Sequence, residues 1–288
     1  MKIIDEDLAS RVVRLRPGKS HKGTYGRILL IGGSKQYGGA ILMAAEGAVM
    51  AGAGLTTVAT DPSNVTPLRT RLPEAMAIDL YSPALFDQVA KNDVIVLGPG
   101  LGTDEQAKNI FAKVLETVSK EQTLLIDASG LTLLAQNREL ISRIKAGLVV
   151  LTPHQMEWQW LSSIKIADQN DQENLKVLAS LFSEKVKNVI LVLKSHRTRV
   201  YDLAGRVYQN SAGNPGMATG GMGDTLAGIT GAFLAQFGPR LESVLAAVYC
   251  HSLAGDDLYQ DNYLVLPTKI SEHLPQVMKR LSLSSKNR

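Results

Sequence analysis

The chain's 288 residues, 45% of them apolar, can bury a core as one large α/β domain or two small ones. Lys and Arg total 31 against 27 Asp and Glu, and a net charge of +4 diluted over this length argues against a dedicated nucleic-acid binder. The single cysteine, Cys250, excludes an internal disulfide; it lies in the apolar run 244–250 and reads as a buried filler suited to a reducing cytoplasm.

The N-terminus is acidic, with Asp5, Glu6 and Asp7, and lacks the apolar region of a signal peptide. No segment reaches the ~18 uninterrupted apolar residues of a membrane span, so neither secretion nor insertion is expected. Beyond it, short apolar runs alternate with helical patterns. Strands are predicted at 27–31, 55–59, 94–97, 124–127, 148–151, 189–193, 198–203 and 206–209, and helices at 39–52, 104–119, 171–186, 222–237, 240–259 and 269–282. With no Pro/Ser-rich linker or repeat, this predicts one domain over 1–288: an α/β fold with a mostly parallel sheet covered on both faces. Ala204-Gly205 signals a hairpin that adds antiparallel strands at one sheet edge. Lys279, Arg280, Lys286 and Arg288 form a basic tail, read as a solvated helix end and terminus.

Glycines and polar residues gather where strands end: Gly32-Gly33-Ser34, Gly98-Pro99-Gly100-Leu101-Gly102, Asp127 and Thr152-Pro153-His154. Ligands of open α/β sheets bind at such carboxyl ends. The densest segment is 213–228, where Gly213, Gly216, Gly220, Gly221 and Gly223 precede Asp224 and a helix expected to start near Thr225. Residues without a Cβ let backbone N–H groups approach an anion, and a helix start adds its own N–H groups and positive dipole end. Asp224 reads either as a helix cap or as a base beside this anion cradle, and the glycine density favours the base. Two decoys fail. Gly18-Lys19-Ser20 resembles the end of a P-loop but has Val13 where the first glycine belongs, and Gly98–Gly102 is followed by Thr103 where a dinucleotide fingerprint needs glycine. His21, His251 and His273 show no metal-ligand spacing, and Trp158 and Trp160 read as packing residues.

Taken together, Lys22–Gly26, Ile31–Ser34, Tyr37–Ala40, Ala51–Leu55, Gly98–Gly102, Asp127-Ala128, Leu151–His154, Lys194 and Asn214–Gly228 resemble, in order and spacing, the NAD(P)H-hydrate dehydratases of the ribokinase-like superfamily. The resemblance implies a three-layer α/β/α sandwich without a separate lid domain. It implies a lyase that uses ADP or ATP to return hydrated cofactors, NADHX and NADPHX, to NADH and NADPH with release of phosphate. It places Asp224 as catalytic base on the substrate's C6 hydroxyl, Ala40, Gly102, His154 and Asp224 at the hydrated substrate, and Lys194, Ser195, His196, Arg197, Thr198 and Gly223 at the nucleotide. It further implies Mg²⁺ with the nucleotide, a cytoplasmic location, a homo-oligomer (a tetramer), and a separate NAD(P)HX epimerase, since about two dozen residues before the first predicted strand leave no room for one. No protein metal ligand is assigned: Asp127 either caps the following turn or reaches Mg²⁺ through water. The chain departs from the family pattern at Gln155-Met156, where Pro-Gly is usual before Glu157, at Ser129-Gly130, where another acid is usual, and at Ser195, where Gly is usual. A vitamin-precursor kinase of the same superfamily and a non-catalytic nucleotide-binding regulator are the alternatives.

Overall fold

The structure, a computed structural model, describes residues 1–182 and 186–284. Ser183, Glu184 and Lys185 of the predicted helix 171–186, and Lys286 and Arg288 of the basic tail, lie outside the described residues. Ten strands form one sheet: β1 (Lys2–Ile4), β2 (Arg27–Ile31), β3 (Leu55–Thr60), β4 (Met76–Asp79), β5 (Val94–Leu97), β6 (Thr123–Ile126), β7 (Leu148–Leu151), β8 (Val189–Leu193), β9 (Arg199–Asp202) and β10 (Val207–Asn210). Their order is β1-β10-β9-β8-β7-β6-β5-β2-β3-β4, and all pairings are parallel except those of β9 with β8 and β10. The helices are α1 (Glu6–Val12), α2 (Gly38–Met50), α3 (Val65–Arg71), α4 (Ala84–Lys91), α5 (Glu105–Thr117), α6 (Ser129–Gln136), α7 (Gln155–Ser162), α8 (Asp171–Phe182), α9 (Met222–Phe237), α10 (Leu241–Tyr259) and α11 (Pro267–Ser284).

Each central strand is apolar on both faces because each face carries its own core. In β2, Ile28 and Leu30 enter the core formed with α2, α9, α10 and α11, while Leu29 and Ile31 enter the opposite core with α5, α6, α7 and α8. This explains why the strands read as continuous apolar runs without alternation. The predicted hairpin is present at Gly205 (φ +78), but the sheet edge beyond it is completed by β1, which runs parallel to β10.

The elements missing from the sequence reading are the short or exposed ones. β1 has three residues, β4 is an edge strand with Met76 exposed, and α1 is a seven-residue helix capped by Asp5, whose carboxylate accepts from the Leu8 N–H at 3.0 Å. The acidic start is therefore a helix cap and first turn. α3, α4, α6 and α7 also escaped, being seven or eight residues long and lacking a sustained apolar period.

One crossing positions the site. A Cβ on Gly228 of α9 would lie 1.8 Å from the Ala44 carbonyl oxygen of α2, and one on Gly47 of α2 would lie 2.7 Å from that of Thr225. The two helix backbones touch, which fixes the first turn of α9.

Candidate active site

Asp127 follows β6 with no solvent exposure. Its Oδ1 accepts from the Thr152 hydroxyl at 2.8 Å and from the Lys194 ammonium at 2.8 Å, while its Oδ2 is buried without a partner. The next residue, Ala128, has φ +48, a conformation an L side chain rarely adopts and one that gathers at functional sites. Interlocking loops impose it: a Cβ on Gly98, after β5, would stand 1.9 Å from the Asp127 carbonyl oxygen. Lys194 follows β8 and is anchored by its own N–H to the Pro153 carbonyl at 2.8 Å. Burial alone would push its ammonium pKa down, but the Asp127, Glu157 and Asp224 carboxylates outweigh burial and raise it.

His154 caps α7. Its Nδ1 accepts from the Glu157 N–H at 3.1 Å, and Glu157 Oε2 accepts from the His154 N–H at 2.9 Å. This reciprocal capping box survives the Gln155-Met156 departure because it needs only the histidine and the glutamate. Burial, then the Lys194 charge, lowers the His154 pKa, so the ring is neutral at neutral pH. Burial raises the Glu157 carboxyl to about 7, with Asp127 and Asp224 adding and Lys194 opposing. The Ser129 departure also has a use: its hydroxyl accepts from the Gly102 N–H at 3.2 Å.

α9 begins at Met222, three residues before Thr225, with Gly221 at φ +91 as its cap. The Thr225 N–H makes the first intrahelical bond, to the Gly221 carbonyl at 3.0 Å, which leaves the N–H groups of 222–224 without intrahelical acceptors. Asp224 is thus the third helical residue, not the cap, and its carboxylate accepts no hydrogen bond from any described residue. Burial raises its pKa to about 6; Asp127 adds to the rise and Lys194 opposes it. A Cβ on Gly223 would lie 3.0 Å from Lys194 Nζ, so the missing side chain is what lets the ammonium sit against the helix start.

A cleft of about 840 Å³ opens here, and Lys194, Ser195, His196, Arg197, Thr198 and Gly223 all line it together with His154. Within it Arg197 donates from Nη1 to the Ser211 carbonyl at 2.7 Å, and Thr198 and Ser195 close a turn on each other. Ala40 and Gly102 do not line this cleft. Ala40 sits in the first turn of α2, where a Cβ on Gly100 would come within 3.1 Å of its own Cβ, and Gly102 is held by Ser129. The predicted site residues therefore fall into two groups, one around β8 and α9 and one at the loops after β2 and β5. The sheet order sets β6, with Asp127, and β7 between β5 and β8. Glu157, His251 and Asp256 belong to this region but were not predicted as site residues, and Thr152 was read only as part of a strand-end loop. Glu157 had a readable signal, three residues after His154; Asp256 had none, yet it accepts from the Gly213 N–H at 2.9 Å and Asn214 Nδ2 at 2.7 Å and ties down the glycine segment.

Gly18 to Ser20 form a surface turn in which Ser20 bonds Pro17 and Tyr25, with no role in this cleft. Trp158 is fully buried, its Nε1 donating to Asn174 Oδ1 at 2.8 Å, whereas Trp160 is half-exposed with its ring edge toward His154. Among the described residues no group of three or more His, Cys, Asp or Glu side chains is placed to hold a metal ion. Asp127 Oδ1 is already engaged, and the carboxylate oxygens left over, Asp127 Oδ2 and those of Asp224, suit an ion that arrives on a ligand's phosphates better than a protein-built cage.

The family model described as NAD(P)H-hydrate dehydratase matches residues 28–276. The chain belongs to the NAD(P)H-hydrate dehydratase family. It is 50% identical to the ADP-dependent (S)-NAD(P)H-hydrate dehydratase of Lactiplantibacillus plantarum, with 98% of each chain covered. A crystal structure of a ribokinase-like superfamily protein from Enterococcus faecalis superposes with a TM-score of 0.90 at 47% identity, covering 98% of this chain and 96% of that one. The ADP/ATP-dependent NAD(P)H-hydrate dehydratase from Bacillus subtilis, co-crystallized with ATP and Mg²⁺, superposes with a TM-score of 0.82 at 26% identity, covering 97% and 98%. The expected family and the expected ribokinase-like α/β sandwich both hold.

Proposed function

We propose that the chain dehydrates the S forms of NADHX and NADPHX to NADH and NADPH at the expense of ADP or ATP, acting as one unit over 1–288. The observation that carries this reading is the Asp224 carboxylate, free of hydrogen bonds, beside the unpaired N–H groups of α9 and near the Lys194 charge. Asp224, ionised at neutral pH, takes the proton of the C6 hydroxyl as that oxygen attacks the terminal phosphorus of the nucleotide, and AMP leaves when ADP is the donor. Lys194 and the N–H groups at 222–224 stabilise the charge on the transferring phosphoryl group. Mg²⁺ carried by the phosphates, near the oxygens of Asp127 and Asp224, would neutralise phosphate charge. The phosphorylated C6 then loses phosphate as the ring nitrogen releases electrons, and loss of a C5 proton restores the ring double bond.

His154, Ala40 and Gly102 serve the hydrated nicotinamide, and Lys194, Ser195, His196, Arg197, Thr198 and Gly223 the nucleotide. Among the described residues no helix is long and apolar enough to cross a membrane, and we place the enzyme in the cytoplasm, as a homo-oligomer working beside a separate NAD(P)HX epimerase. The test is to incubate the protein with NADHX and ADP while following absorbance of NADH. Nucleotide-dependent NADH formation supports the reading; a persistent phosphorylated alcohol without NADH would replace it with a kinase.

A further inference from the structure

The segment 211–221, which links β10 to α9, forms one wall of the cleft, with Ala212, Gly213, Asn214, Pro215, Met217 and Ala218 lining it. Its glycines make it slack as a chain, and Gly213 sits at φ +119, a backbone conformation that favours glycine. What holds this wall is one face of α10, where Ser252, Gly255, Asp256 and Tyr259 follow the three- and four-residue spacing of a helix face. Ser252 Oγ accepts from Asn210 Nδ2 at 2.8 Å, just before the segment. A Cβ on Gly255 would lie 2.5 Å from Met217 Sδ, so the missing side chain admits Met217; a Cβ on Gly216 would lie 2.5 Å from the Tyr259 ring, which backs it. Between these contacts Asp256 makes the polar tether. Its Oδ2 accepts from the Gly213 N–H at 2.9 Å and its Oδ1 from Asn214 Nδ2 at 2.7 Å. Both groups facing it are donors, and a carboxylate accepts from both with charge-assisted hydrogen bonds. Asp256 has no Lys, Arg or His ion-pair partner among the described residues, and it does not itself line the cleft. A carboxylate behind the wall of an anion site repels the ligand, and its hold on that wall is what offsets the repulsion.

We infer that Asp256 is a positioning residue for the nucleotide: by pinning Gly213 and Asn214 to α10 it preforms the wall against which the nucleotide is held, and it leaves the binding of the hydrate to other elements. This rests on the nucleotide-cleft reading given above.

Asp256→Ala, checked for fold by its melting curve, tests it through the sign of the effect on ADP. Removing a negative charge behind an anion site would by charge alone tighten ADP, whereas losing the tether weakens it. Calorimetric titration should show ADP bound about tenfold more weakly, with KM for the hydrate little changed. Unchanged or tighter ADP binding by the folded variant overturns the inference while leaving the nucleotide cleft standing. An equal rise in KM for ADP and for the hydrate marks a general structural role and overturns it too. Asn214→Ala cuts the same tether without changing a charge, and the Asn214 side chain makes no other hydrogen bond among the described residues, its Oδ1 being buried without a partner. It should weaken ADP in the same way, and if Asp256→Ala fails to fold it decides by the same two readouts. Absence of ADP binding to the wild type removes the cleft reading and this inference with it.

Discussion

The same sheet carries a cleft at each end of its strands, and the two differ in chemistry more than in size. The one at the N-terminal ends, about 660 Å³, is bordered by Lys120, Gln122, Gly147, Arg206 and Arg240. Its polar groups satisfy one another: Gln122 Nε2 donates to the carbonyls of Val89 at 2.6 Å and Asn92 at 2.5 Å, and Arg206 Nε donates to Asp202 Oδ2 at 2.6 Å. No buried orphan side-chain atom occurs among its described residues. Two residues that line the cleft at the C-terminal ends carry one each, Asn214 Oδ1 and His251 Nε2, and Asp127 Oδ2 lies next to it behind Lys194. It is flanked by two carboxyls that burial has pushed toward neutral pH, Glu157 and Asp224. A parallel sheet delivers helix starts and βα loops to one end only, so unspent N–H groups and polar side chains collect there. Volume marks a hollow, whereas unspent hydrogen-bonding capacity marks a site.

The contrast breaks most sharply at Asp224. Asp224→Asn keeps the size and removes the base, so turnover should fall by ~10²–10⁴ while ADP still binds and the melting temperature at neutral pH holds or rises, because the buried carboxylate it replaces costs stability when ionised. Turnover near wild type in a folded preparation, measured by NADH formation, removes Asp224 from the chemistry.

Lys194→Ala comes next. A charge-assisted phosphate contact is worth ~1.5–3 kcal/mol, so ADP should bind roughly ten- to a hundredfold more weakly. Stripping the partner from fully buried Asp127 should also cost about 3–5 kcal/mol of stability. Titration with ADP and a denaturant melt read the two effects separately, and unchanged affinity takes Lys194 out of the nucleotide site.

Glu157 sharpens the comparison through pH. Its folded pKa of about 7 lies above the unfolded 4.5, so between these values the folded state binds more protons, and stability falls as pH rises through the window. The ionised group costs about 3 kcal/mol above pH 7. Glu157→Gln removes this, so its stability relative to wild type should climb from pH 4.5 to 7 and level off. A pH-independent difference in denaturant melts contradicts the assignment.

The smallest effect belongs to the other cleft. Arg206 is half-exposed in its pair with Asp202, and such pairs are worth ~0–1 kcal/mol. Arg206→Ala should change stability by no more than that and leave kcat/KM untouched; a loss of activity would show the second cleft to be functional.

What the sequence revealed follows the same physics. The helix over 222–237, the glycine segment and Asp224 could be read because steric freedom and apolar period are local properties. The start at Met222 could not, since it depends on Gly221 taking a left-handed turn. The departure at Gln155-Met156 leaves Glu157 in place, and its role is a two-residue reciprocal cap indifferent to both residues. His251 sits in the apolar stretch of α10 and reads as core; only the packing of α10 beside α9 brings it to the cleft wall, with its Nε2 buried and unpartnered. β1 was invisible because three residues carry no period, and its pairing with β10 joins distant parts of the chain.

The central claim is that the C6 hydroxyl itself attacks phosphorus, with Asp224 removing its proton. Tracing that oxygen tests it most directly: NADHX labelled with heavy oxygen at the C6 hydroxyl is turned over with ADP, and the released phosphate is analysed by mass spectrometry. The account predicts the label in inorganic phosphate, with AMP and NADH formed in equal amounts. Label in water and unlabelled phosphate would contradict it.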